Sequence, residues 1–164
     1  MADNALQHSE SQDGAILTAQ RYGANGVVRM VIADTGIGIK SHLKKHPKHR
    51  HVKTDKEAIE TALKPFVTGT YVPKGSDVIL EYENQGLGLS VVDQIAHESA
   101  GTLFVWSGNA LYRSSKNAVE ELPVSWPGTV ISLTLPSNLT VNPTSIVQKF
   151  DSASKKAPVM LKFQ

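Results

Sequence analysis

At 164 residues, with 40% apolar and 20% charged side chains, the chain has the size of one domain with a real core and not the composition of a disordered one. A net charge of +2 is too small to imply nucleic-acid or membrane binding by bulk electrostatics, and the lack of cysteine excludes disulfides and thiolate metal sites. No apolar run approaches the roughly 20 residues of a membrane span, and residues 1–9 lack the basic start and apolar stretch of a secretion signal, so a cytoplasmic location is expected.

Residues 4–8 read as helix, since Ala5, Leu6 and Gln7 are helix formers and the polar run from Ser9 to Gly14 breaks the pattern. About two turns is short for a helix that must pack, so this piece is expected to be the tail of a helix whose beginning is missing. Residues 15–22 and 27–33 follow as two strands joined by Gly23-Ala24-Asn25-Gly26, residue types that supply the positive φ of a tight turn. In the second strand Val28, Met30 and Ile32 share one face and Val27, Arg29 and Val31 the other. So nearly unbroken an apolar run predicts a central strand, ending at Asp34.

Residues 40–53 are basic and His-rich, with no apolar period. Thr54-Asp55-Lys56-Glu57 is a capping-box pattern that opens a short helix through Leu63, stopped by Pro65. Residues 68–85, rich in turn formers, are read as a mobile loop. A helix is predicted over 88–99, with Leu89, Val92, Ile95 and Ala96 on one face and Gly101 as its C-terminal stop. Strands are expected at 102–107 and 130–135, separated by an irregular stretch containing Pro123 and Pro127. The polar remainder holds a short amphipathic piece around 146–150. The expected fold is α+β, a two-layer α/β sandwich with helices on one face of a mixed, mainly antiparallel sheet. Residues 1–136 would form the domain and 137–164 a C-terminal tail.

Two glycine-bearing motifs carry the chemistry. In Asp34-Thr35-Gly36-Ile37-Gly38-Ile39 a carboxylate follows directly on a buried strand, and the glycines let backbone approach a flat ligand closely. Such a carboxylate can accept from the exocyclic amine of adenine, where guanine offers a carbonyl instead. Taken alone, the same residue types also suit a tight turn. In Asn84-Gln85-Gly86-Leu87-Gly88-Leu89-Ser90 a glycine-rich loop runs into a helix, whose N-terminal N–H groups and dipole favour phosphate. It is neither a P-loop nor a dinucleotide fingerprint; alone, it could be a flexible loop with a helix cap. A third element, Asn4 on the N-terminal helix, offers a neutral amide oxygen of the kind magnesium accepts beside phosphates and water.

Together the three motifs resemble the N box, G1 box and G2 box of the GHKL superfamily, which comprises the gyrase, heat-shock chaperone, histidine kinase and mismatch-repair ATPases. Gly128-Thr129 resembles the further Gly-Thr that supports the adenine-binding aspartate, and Lys64-Pro65-Phe66-Val67-Thr68 the Pro-Phe segment that histidine kinases carry ahead of the nucleotide lid. The resemblance covers about residues 3–136 and is greatest to bacterial sensor-linked or stand-alone kinase-like ATPase domains of two-component signalling. It implies that Asn4 coordinates Mg2+ on the phosphates and that Asp34 reads adenine, supported by Thr129. It further implies that Gly36, Gly38 and Ile39 close on the base, that Gly86, Leu87, Gly88 and Leu89 line the triphosphate, and that residues from about 40 to 85 contain the lid.

Two departures bear on turnover. Gln7 stands where histidine kinases often carry a basic residue, and the glutamate that hydrolytic members place four positions before the asparagine has no counterpart, because the chain begins three positions before Asn4. No catalytic residue is identified. His8 is read as a packing or pocket-edge residue. His42, His46, His49 and His51 are read as part of a solvated basic lid segment that could lend a cation to the phosphates, not as a metal site, because their spacing is irregular and their neighbours are cationic. Trp106 and Trp126 are read as core or domain-edge aromatics. The implied activity is Mg-ATP binding with phosphoryl donation to a histidine or serine on another domain or protein. A nucleotide-dependent protein-binding switch with little turnover is the alternative, and a fragment unable to hold nucleotide a more distant third. The implied partners are ATP and a phosphoacceptor domain or regulatory protein, with no nucleic acid and no membrane contact by this domain.

Overall fold

The structure is a computed structural model that describes residues 11, 13–23, 26–70, 86–138 and 141–156. The expected helix at 4–8, most of the expected loop at 68–85 and the end of the tail lie outside the described residues. Strands β1 (Ala15–Tyr22), β2 (Val27–Asp34), β3 (Thr102–Arg113) and β4 (Ala118–Pro136) form one sheet in the order β1-β2-β4-β3. Every pairing among the described residues is antiparallel, in keeping with the mainly antiparallel sheet expected from sequence. Helices α1 (Gly38–Lys44), α2 (Asp55–Ala62), α3 (Gly88–Glu98) and α4 (Pro143–Lys156) complete the α+β fold. No helix among the described residues is long and apolar enough to cross a membrane.

The register explains the layering. Met30 lies opposite Leu133, which lies opposite Leu103; Ile32, Ile131 and Val105 form the next row on the same face. Against these rows pack Ile59 of α2 and Val92 and Ala96 of α3. The apolar stripe predicted for 88–99 is therefore the face that closes the core. Helix α3 stops differently from expectation, however. Ala100 takes the left-handed conformation, with φ 52°, and the Gly101 N–H reaches back to the Ala96 carbonyl at 2.8 Å. Gly101 is needed for closeness instead: a Cβ there would fall 2.5 Å from the Thr134 carbonyl oxygen.

The basic segment is also not what its composition predicts. Residues 40–53 hold most of α1 and a one-turn 3-10 helix, Pro47–His49, and they are pinned at two points by Leu43 (2% exposed) and Val52 (1%). Both pack with Ala58 in a second core cluster. Two anchors nine residues apart leave no period to read in sequence, which is why the segment looks wholly polar. The capping box is present as expected: the Glu57 N–H donates to Thr54 Oγ1 at 3.1 Å, and Glu57 Oε2 accepts from the Thr54 N–H at 3.3 Å. Thr54→Ala should therefore lower stability by about 1 kcal/mol, measured by denaturant unfolding, with little change in the slope of the transition.

The stretch expected to be irregular between the last two strands is a long hairpin, β3 and β4 joined through Ser114–Lys116 and a left-handed Asn117. The prolines are compatible with it because the ladder is interrupted where they sit. Ser107 pairs with Thr129 but Gly108 with Trp126, and Ala110 with Glu121, so Pro123 and Pro127 fall in bulges where no N–H is required. In the expected tail, α4 is longer than the piece read at 146–150. It buries Ile146 completely and ties Lys149 to Glu98 of α3 at 2.8 Å.

Candidate functional site

The inward row after Ile32, Ile131 and Val105 is polar. Thr129 and Ser107 are cross-strand partners two positions along β4 and β3, and Asp34 stands two positions along β2. A row that in the core would hold aliphatic side chains here carries a carboxylate and two hydroxyls. The residues that close it are the glycine-bearing loop after β2 and the bulge of β4.

Asp34 is only 7% exposed. Its Oδ1 accepts from the Gly36 N–H at 2.9 Å, and the Thr129 N–H also donates to the carboxylate. Burial pushes the carboxyl above the ordinary range, while these two backbone donors favour the ionised form and pull the other way. The aspartate's own carbonyl is held as well, by the Trp126 indole N–H at 2.7 Å. Both ends of the residue are thus fixed by β4. Trp126, read from sequence only as a core or domain-edge aromatic, is one of its anchors; it also lies against Trp106, ring centres 5.9 Å apart.

The glycines serve backbone contacts. At Gly128 a Cβ would overlap the Asp34 carbonyl oxygen and Oδ1, and would lie 2.6 Å from the Gly36 nitrogen, so only glycine lets β4 close on the aspartate. Gly38 has φ 70°, and a Cβ on it would lie 2.9 Å from Ser107 Oγ and 3.2 Å from the Pro127 carbonyl oxygen. The Ile39 N–H donates to Ser107 Oγ at 3.0 Å, and that hydroxyl donates to the Gly128 carbonyl at 2.8 Å. Ser107 therefore clasps the loop after β2 to the bulge of β4. Sequence assigned it no role in the site, though the inward alternation Leu103, Val105, Ser107 marks a buried hydroxyl that needs partners. Ser107→Ala leaves a buried N–H and C=O without this bridge and should cost about 2–3 kcal/mol in thermal or denaturant unfolding.

The second motif opens α3. Leu87 precedes the helix and offers no side-chain cap, so among the described residues no side chain accepts from the N–H groups of the first turn, the arrangement in which phosphate binds. Gly86 has φ 68°, and a Cβ there would lie 2.6 Å from the Val67 nitrogen, which sets the start of the motif against the Pro-Phe segment. Ile39 and Leu89, from the two motifs, pack on the same core cluster. Asp34, Gly36, Gly38, Ile39 and Thr129 thus come together around β2 and β4, while Gly86, Leu87, Gly88 and Leu89 lie at the head of α3. Asn4 lies outside the described residues. Among the described residues, no three of His, Asp and Glu are grouped so as to hold a metal ion.

Helices on an antiparallel sheet, with a fixed carboxylate at the end of an inner strand, agree with the fold of an ATPase domain of the family that the comparison identifies. The chain belongs to the histidine kinase-, DNA gyrase B-, and HSP90-like ATPase family, whose model matches residues 1–139. Comparison with curated proteins and with solved structures gave no match. ATP binding follows from the family, and the antiparallel α+β sandwich agrees with it.

Proposed function

We propose that this domain binds Mg-ATP through the site around Asp34 and donates the γ-phosphoryl group to a histidine or serine on another domain or protein. The observation that supports it most is the geometry of Asp34: a buried carboxylate with two backbone donors keeps acceptor capacity for the adenine amine, and its carbonyl is fixed by the Trp126 indole. Gly36, Gly38, Ile39 and Thr129 would border the base. The first-turn N–H groups of α3, with Gly86, Leu87, Gly88 and Leu89, would take the phosphates. Mg2+ would be held by the Asn4 amide oxygen together with phosphate oxygens, neutralising their charge. Phosphoryl transfer then depends on positioning and charge neutralisation more than on a strong base.

A second reading, a nucleotide-dependent switch, draws on one contact. The backbone at Val67 abuts Gly86, and a Cβ on Gly69 would lie 2.6 Å from His42 Nε2, so the segments flanking residues 71–85 touch both the head of α3 and α1. Nucleotide at α3 could in this way be felt at α1 and at a partner bound there. Incubation with γ-labelled ATP and extract from the source cells separates the two. Transfer yields a labelled protein, acid-labile if histidine is modified and acid-stable if serine is; ATP binding without any labelled protein would contradict the kinase reading and favour the switch.

A further inference from the structure

The ten residues 44–53 contain four lysines, one arginine and three histidines, and neither Asp nor Glu. The rest of the chain then holds 12 Lys and Arg against 15 Asp and Glu, so this short arch carries positive charge on an otherwise acid-leaning domain. Lys44, Lys45, Lys48, Arg50, His51 and Lys53 are exposed. Domain surfaces ordinarily intersperse the two signs, because like charges repel, and solubility alone does not call for such segregation.

The arch is also rigid. Leu43 and Val52 anchor its ends in the core, and turns link His46 to Leu43, His49 to His46 and Val52 to His49 by backbone hydrogen bonds of 2.9–3.1 Å. The His46 ring locks the middle, its Nδ1 accepting from the Lys48 N–H at 3.2 Å. A pre-shaped cationic surface loses little conformational entropy when it is covered.

We propose that residues 44–53 form a docking surface for an Asp/Glu-rich segment of a partner protein. Nucleic acid is the other polyanion to weigh. The arch has no Phe, Tyr or Trp on which bases could stack, and a seven-residue α1 followed by a three-residue 3-10 turn gives nothing to lie along a groove. A partner held here would sit next to α1, whose His42 touches Gly69 and so the chain that leads toward residues 71–85. The inference does not depend on how the nucleotide is used.

The test is fluorescence anisotropy of a labelled Asp/Glu-rich peptide titrated with the full chain. One variant combines Lys44→Gln, Lys48→Gln and Arg50→Gln; a second, with the same net charge, combines Arg21→Gln, Lys116→Gln and Lys149→Gln. The arch variant should retain the wild-type circular-dichroism melt, since the side chains removed are exposed; the control gives up the surface Lys149–Glu98 and Lys116–Glu120 pairs and should melt at most slightly lower, still fully folded at the titration temperature. The arch variant should bind the peptide about tenfold more weakly and the control variant within about twofold of wild type. Wild-type binding should itself weaken between about 50 and about 200 mM salt. Equal loss in both variants, no loss in the arch variant, or tighter binding of a charge-matched duplex DNA than of the peptide would overturn the proposal.

Discussion

Asp34→Asn is expected to remove most ATP affinity while leaving the melting temperature unchanged or slightly raised. A hydrogen bond to a charged acceptor contributes about 1.5–3 kcal/mol, so affinity should fall about 10- to 150-fold. Stability should behave oppositely because the buried carboxylate is a burden to the fold. Burial raises the carboxyl pKa above its unfolded value, and the Gly36 and Thr129 N–H groups offset only part of that. A carboxyl with a raised folded pKa favours the native state at pH below its unfolded value, and this contribution is lost as pH rises through the folded value. At neutral pH the ionised Asp34 therefore weakens the fold. An amide removes the charge and can still accept from Gly36. Calorimetric titration with ATP beside thermal melts at neutral and mildly acidic pH checks both halves. Wild type should gain on the variant as pH falls. A variant that loses affinity and stability together would mean that Asp34 is a structural turn residue.

Gly128→Ala should be a severely damaging methyl addition at the site. The new Cβ would meet main-chain atoms of Asp34 and Gly36, which have no rotamer to escape into, so β4 must back away from β2. That movement also strains the Ser107 clasp. Overpacking together with a weakened buried hydrogen bond should cost about 3 kcal/mol or more, a fall of roughly 6–12 °C in melting temperature for a chain of this size, and ATP binding should go with it. Gly26→Ala is the comparison. Its φ of 60° disfavours alanine, but the nearest atom to a Cβ is Ser137 Oγ at 3.7 Å, so about 1 kcal/mol is expected with nucleotide binding intact. Near-equal melts for the two variants would show that conformation, not closeness to Asp34, decides the cost.

The parts of this molecule that were legible in sequence are those where local chemistry and tertiary position agree. The capping box at Thr54, the apolar stripe of α3 and the central strand ending at Asp34 each declare themselves within a dozen residues. What was hidden depends on distant partners. Leu43 and Val52 are core residues surrounded by lysine and histidine, invisible to periodicity because only two positions face inward. The prolines of β4 argued for irregular chain, and only the bulges opposite Gly108 and Ala110 reconcile them with a strand. At the site, sequence picked out Asp34, the glycines and Thr129, but not the closeness of Gly38 to Ser107 and Pro127, which depends on strands far along the chain. Trp126 was passed over because its indole reaches the Asp34 carbonyl across 92 positions of sequence.

The central claim is that the carboxylate at the end of β2 reads adenine. Calorimetric titration of the full chain with Mg-ATP and, separately, Mg-GTP addresses it most directly. ATP should bind with guanine nucleotide weaker by tenfold or more, roughly the cost of leaving a buried hydrogen-bonding group unpaired and facing a carbonyl. Equal affinity for the two nucleotides, or no heat from either, would contradict it.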